Sequence, residues 1–303
     1  MSYHLPVLAS ASIEGLAVRS DGVYVDATFG GGGHSRMILE KLGPQGRLIA
    51  FDQDPDAAAN VPDDERVIFV PHNFRHLSRF LRLHGHPKVD GILADLGVSS
   101  HQFDEAERGF SYRFDAALDM RMDPKQVKTA ADVVNTYPAE QLQEILGRYG
   151  EVRNARTLAQ HLCAERSGLA IRTTGDLVRV VEPVIRGQRL RYLSQVFQAL
   201  RIEVNEEMEV LEMFLEQTLT ALKPGGRLVV ISYHSLEDRM VKNLLRSGHT
   251  DGKVEKDFYG NIYRPFEVLT RKAMRATPEE IAQNPRARSA RLRIGALKEK
   301  QDG

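Results

Sequence analysis

The sequence predicts a doubly wound α/β fold, a mostly parallel sheet interrupted by an inserted α-helical domain. Three observations carry this. Short apolar runs recur about every twenty residues through the first hundred positions, one of them leads into four consecutive glycines, and residues 129–201 switch to helical periodicity. The first runs fall at 23–27, 47–51, 67–70 and 89–94. They are apolar throughout rather than alternating, as strands covered on both faces must be.

Beyond residue 123 the helical pattern holds through AADVVNTYPAEQLQEILGRYG and TGDLVRVVEPVIRG, with no strand expected. A long helical run over 197–222 is closed by Lys223-Pro224-Gly225-Gly226, and strand character returns at 226–232. Final strands are expected at 266–270 and 291–297, with the polar stretch 250–263 looping over the surface. Residues 1–107 and 201–303 therefore form the sheet domain and 108–200 the insert. A chain of 303 residues fits one α/β domain with one added unit.

Composition narrows the class. Apolar residues make up 42% of the chain, enough to fill a core, and no apolar run approaches the roughly 18 residues of a membrane span. No signal peptide is legible, so a soluble, cytoplasmic protein without membrane contact is expected. Cys163 has no partner for a disulfide, which suits a reducing compartment. The net charge is zero, yet it is unevenly spread: residues 147–201 carry ten arginines and no lysine for a local net of +6, and residues 271–293 a net of +5. Such faces are often simply solvated and ion-paired. Arginine without lysine favours phosphate contacts, because the planar guanidinium forks onto paired oxygens.

The strongest chemical signal is Asp26-Ala27-Thr28-Phe29-Gly30-Gly31-Gly32-Gly33-His34-Ser35, a strand running through glycines into a helix. Glycines there admit close backbone approach and leave helix N-terminal amides to a ligand. Asp52, twenty residues after Gly32 at the end of the second strand, is placed to accept ribose hydroxyls. An adenosine ligand follows, either NAD or S-adenosylmethionine. The dinucleotide pattern G-x-G-x-x-G fails in this register, since Ser35 takes the third glycine's place.

Asp95 ends the fourth strand within Asp95-Leu96-Gly97-Val98-Ser99-Ser100. It is either a helix cap or a carboxylate that accepts hydrogens from a substrate amine. After the fifth strand, Tyr233 and His234 offer a ring and an imidazole that can grip a flipped base, or that pack the sheet rim. His72 and His76 have H-x-x-x-H spacing without the accompanying Glu, and no metal is expected. No G-x-S-x-G elbow supports a hydrolase.

Taken together, these strings resemble the 16S ribosomal RNA cytosine-N4 methyltransferase family, known as RsmH or MraW. The matching blocks run in order along nearly the whole chain: His4-x-Pro6-Val7-Leu8, the glycine block, Asp52-x-Asp54-Pro55, DLGVSS with Gln102, Arg108-Gly109-Phe110-Ser111, LDMRMD at 118–123, Tyr149-Gly150-Glu151, FQALRIxVN at 197–205, ISYHSLEDR at 231–239, and Asn284-Pro285-Arg286-Ala287-Arg288-Ser289. The resemblance implies a class I S-adenosylmethionine-dependent methyltransferase acting on a cytidine N4 in 16S rRNA of the small ribosomal subunit. It also implies cofactor contacts at Gly32, Gly33, His34, Asp52, Phe74, Asp95 and Gln102. Asp95 is the expected amine acceptor, with Tyr233 or His234 on the base and Arg186, Arg189, Arg191, Arg286, Arg288 and Arg291 on RNA phosphates. The chain departs from the family at Ala9-Ser10-Ala11-Ser12, where an acid usually stands, and at Ala116-Ala117, where Gly-Pro is frequent.

Two rivals follow from the same residues: a methyltransferase with a DNA or small-molecule acceptor, and a non-catalytic RNA-binding protein that retains the cofactor pocket. The insert's apolar helix faces admit either burial in its own core or a homodimer contact.

Overall fold

The structure is a computed structural model that describes residues 6–97, 106–256 and 259–299. Its chain divides into two compact units, residues 1–97 with 209–303, and residues 98–208. The second unit is wider than the expected 108–200. Its far boundary has a physical cause in Asn205, a buried residue whose Oδ1 accepts from the Met122 amide at 2.7 Å and whose Nδ2 donates to the Met120 carbonyl at 2.8 Å. Those bonds keep the residues after 200 with the insert.

The first unit is built on seven strands, β1 (Val23–Asp26), β2 (Arg47–Phe51), β3 (Val67–Val70), β4 (Val89–Asp95), β5 (Leu222–Ser232), β6 (Phe266–Val268) and β7 (Arg291–Leu297). They lie in the order β3-β2-β1-β4-β5-β7-β6. The first five pair in parallel, and β7 runs antiparallel between β5 and β6. Helices α1 (Ala9–Leu16), α2 (Gly33–Leu39) and α3 (Leu77–Leu83) belong to this unit. Leu16 and Ile38 bury completely against Leu48, Leu93 and Ile231. These strands read as continuous apolar runs because both faces are covered.

Two strands differ from expectation at their ends. β5 begins at Leu222, which already pairs with Val89; the ladder then resumes at Gly91 with Arg227, and Lys223-Pro224-Gly225-Gly226 bulges out between them with Gly225 at φ 77°. β6 stops at Val268 because the Leu269 and Thr270 amides both turn onto the Ile294 carbonyl, at 3.0 and 3.3 Å.

The second unit carries helices α4 (Ala130–Thr136), α5 (Ala139–Arg148), α6 (Ala155–Arg166), α7 (Thr174–Val181) and α8 (Arg189–Asn205). Capping boxes set two of their starts, Thr129 with Asp132 and Thr173 with Asp176. Their apolar faces meet in a core of their own, including Val133, Leu146, Leu158, Leu177, Leu193 and Val196. The single helix expected over 197–222 is two: α8 ends at Asn205, Glu206 turns left-handed at φ 52°, and α9 (Glu207–Ala221) follows. Arg201 closes that corner with a bidentate pair to Glu207 at 2.7 and 2.9 Å. Among the described residues no helix is long and apolar enough to cross a membrane.

Asn205→Ala would strand the buried Met122 amide and Met120 carbonyl. A loss of about 2–4 kcal/mol in urea unfolding is expected, with Asn205→Asp also destabilising because its carboxylate cannot donate.

Candidate active site

The parallel register brings the carboxyl ends of β2, β1, β4 and β5 side by side, with Asp26 beside Ala50 and Leu93, and Asp95 beside Ile231. Ligands of open α/β sheets bind at this edge. Each strand delivers a polar group there.

β1 delivers the glycine loop. Asp26 is 1% exposed; its Oδ1 accepts from the Thr28 amide at 3.1 Å and its Oδ2 from the Ser35 hydroxyl at 2.6 Å. Gly32 caps α2 at φ 72°, where a Cβ would meet the Phe29 ring at 2.9 Å, whereas a Cβ on exposed Gly31 would meet nothing within 4 Å. The first-turn amides of α2, including those of Gly33 and His34, have no intrahelical acceptor by helix geometry. The His34 ring is turned into the protein, its Nε2 3.1 Å from the Val7 carbonyl, and burial holds it below the usual histidine pKa and therefore neutral. Any cofactor contact at His34 falls to its backbone.

β2 delivers Asp52, whose Oδ2 accepts from the Gly30 amide at 2.7 Å and whose Oδ1 accepts from Asp54 at 2.9 Å. Each oxygen keeps a lone pair for a further donor. Burial pushes this carboxyl up to about 6, against the pull of the two amides. Past β3, half-buried Phe74 meets Phe214 edge-to-face at 5.0 Å. Asn73, beside it, donates to Gln53 at 2.7 Å. His72 stacks on Phe80 at 4.7 Å.

β4 delivers Asp95. Its amide donates to the Thr28 hydroxyl at 2.7 Å, and its Oδ1 accepts from the Tyr233 hydroxyl at 2.7 Å. Burial first, then the nearby Asp26 and Glu237 carboxylates, push its carboxyl up to about 7, with the Tyr233 hydrogen bond acting in the opposite direction. Burial and the facing Asp95 drive the Tyr233 phenol well above its usual value.

After β5, helix α10 (Ser235–Ser247) opens with His234 as its cap. The buried Glu237 carboxylate returns onto the Tyr233 amide at 2.8 Å and lies 3.1 Å from the His234 Nε2. Both expected base-gripping residues thus have structural partners, Tyr233 on Asp95 and His234 on the helix start. Asp238, next to it in the same first turn, pairs with buried Arg293 at 2.6 Å and with Arg291 at 3.6 Å.

Of the expected RNA contacts, Arg186, Arg189 and Arg191 are exposed in the helical unit, with Arg189 paired to Glu182 at 2.8 Å. Arg286, half-buried, and Arg288, exposed, sit in the turn of 285–289 that precedes β7, and Arg291 begins that strand. Gln102, Ser99 and Ser100 lie outside the described residues. Sequence reasoning passed over Thr28, Ser35 and Glu237 as working parts. Only Glu237 had a legible signal, standing three positions after a residue able to cap.

A dinucleotide-binding sheet is parallel through its sixth strand. Here an antiparallel β7 lies between β5 and β6, while acids end β1, β2 and β4 around a glycine loop. This is a class I S-adenosylmethionine-dependent methyltransferase. The residues fit that cofactor: an open cradle at Gly31, an acceptor at Asp52, and carboxylates suited to a cationic ligand. The chain matches the model of the MraW methylase family over residues 1–298 and belongs to that family. It is 54% identical over 299 residues to the ribosomal RNA small subunit methyltransferase H of Bacteroides thetaiotaomicron, covering 98% of each chain. It is 55% identical over 295 residues to the protein of that name from Cytophaga hutchinsonii, covering 96% of this chain and 98% of the relative.

Gly32→Ala, strained at its positive φ and against Phe29, is expected to weaken cofactor binding at least tenfold by calorimetry, while Gly31→Ala should keep its fold stability within about 0.5 kcal/mol. Asp95 affects stability with a definite sign. Its folded-state pKa of about 7 exceeds the ordinary aspartate value of 3.8, so between those values the native state keeps a proton that the unfolded chain has released. Stability therefore falls as pH rises through this window and stays reduced above it. Asp95→Asn should be more stable than wild type at pH 8 by about 1–2 kcal/mol, allowing for solvent screening of the carboxyl, and equal to it near pH 4 in urea unfolding.

Proposed function

We propose that this chain transfers a methyl group from S-adenosylmethionine to the exocyclic N4 of a cytidine in 16S rRNA of the small ribosomal subunit, in the cytoplasm. The observation that carries the chemistry is Asp95, a desolvated carboxylate at the end of β4 with one oxygen held by Tyr233. The acceptor class is supported by relatives named for small-subunit ribosomal RNA.

When bound, S-adenosylmethionine supplies an electrophilic methyl on its sulfonium. Gly32, Gly33, His34, Asp52, Phe74 and Asp95, with Gln102, are the residues proposed to hold it. A cytosine amine is a poor nucleophile, because its lone pair is conjugated into the ring. Asp95 accepts one amine hydrogen and favours a tetrahedral nitrogen whose lone pair is free to attack, a gain from positioning and preorganised charge. The cofactor would supply the methyl to this nitrogen, with the C–S bonding electrons remaining on its sulfur. The amine then sheds a proton, which a carboxylate with a pKa of about 7 can take near neutral pH. Tyr233 and His234 frame the acceptor side. Arg186, Arg189 and Arg191 of the helical unit, with Arg286, Arg288 and Arg291, are proposed to hold RNA phosphates.

The test is tritium transfer from labelled S-adenosylmethionine to small subunits that lack the modification, followed by nucleoside analysis. Labelled N4-methylcytidine is expected, and Asp95→Asn should lower kcat by about 10²–10³-fold at saturating cofactor, with cofactor Kd measured separately. Label in another nucleoside would reassign the acceptor. Cofactor binding without label in any RNA would favour a non-catalytic role.

A further inference from the structure

Asp95 has two carboxylate oxygens, and one is already committed. Tyr233 stands two residues beyond Ile231, the β5 register partner of Asp95, and its hydroxyl lies 2.7 Å from Oδ1. Tyr233 is itself held: its backbone amide donates to Glu237 Oε2 at 2.8 Å, and its ring packs on the sheet's apolar cluster, 3.6 Å from where a Cβ on Gly97 would stand. A ring so lodged is poorly placed to sandwich a base.

We propose that Tyr233 is a positioning residue for methyl transfer: by donating its hydroxyl hydrogen to Oδ1 it fixes the Asp95 carboxylate and reserves Oδ2 for the hydrogen of the acceptor amine. This rests on the reading of Asp95 as amine acceptor. Protonation provides a second handle. Asp26 from β1 and Glu237 from α10 face Asp95 with negative charge and favour its protonated form, while the Tyr233 hydrogen bond favours the carboxylate. Arg286, from the turn before β7, faces the phenol and draws it the other way from Asp95 and Glu237. Deleting the hydroxyl removes the hydrogen bond that favours ionised Asp95, so its pKa rises further.

Stacking on a base and holding Asp95 make opposite predictions for Tyr233→Phe, which keeps the ring and deletes one oxygen. A positioning role predicts a kcat about 10–100-fold lower, with cofactor Kd and RNA KM within about twofold of wild type and the acid limb of the pH–rate profile moved to higher pH. In an Asp95→Asn background the same substitution should cause no further loss. Incorporating 3-fluorotyrosine at 233 keeps the fold and strengthens the donor, and should move the acid limb to lower pH. Wild-type kcat and an unmoved limb in both variants, with Asp95→Asn inactive, would overturn this role and leave Asp95 as acceptor. Normal methylation by Asp95→Asn would overturn both together.

Discussion

The buried carboxylate of Asp26 is the constraint on which the site depends. A charge with 1% exposure is tolerable only when its oxygens are satisfied, and here the Thr28 amide and the Ser35 hydroxyl do so. Those two bonds fold the chain sharply after β1 and fix where α2 begins. Thr28 then passes the constraint on, since its hydroxyl receives the Asp95 amide. One buried acid therefore sets the geometry of the cofactor loop and of the proposed amine acceptor together.

The same edge of the sheet concentrates negative charge. Asp52 and Asp95 both sit well above the ordinary carboxylate range because burial opposes their ionisation. Folding tolerates this crowding at the expense of stability at neutral pH. In the proposed role of these residues, a sulfonium placed beside them would favour their ionised forms and offset the desolvation that opposes ionisation.

The helical unit follows a different economy. Two of its helices start at capping boxes, its apolar faces share a core of their own, and Arg186, Arg189 and Arg191 stay exposed. Asn205 ties the LDMRMD string to the end of α8, which explains why two strings far apart in sequence are both conspicuous. Such a unit can vary its exposed arginines without disturbing the sheet's packing.

The sequence by itself determined much of the molecule: all seven strands within a few residues, a separate helical unit, and the positions of Gly32, Asp52 and Asp95 at the carboxyl edge of the sheet. These were legible because strand burial writes continuous apolar runs and a glycine loop has few alternative uses. The tertiary structure decided the rest. That β7 would run antiparallel between β5 and β6, excluding a dinucleotide fold, depends on strand pairing, which local pattern does not encode. The break at Glu206 depends on bonds from Asn205 to residues more than eighty positions away. Tyr233 looked like a stacking ring because an aromatic after a strand is chemically ambiguous. Only the 2.7 Å contact across 138 residues to Asp95 shows which end of it is engaged.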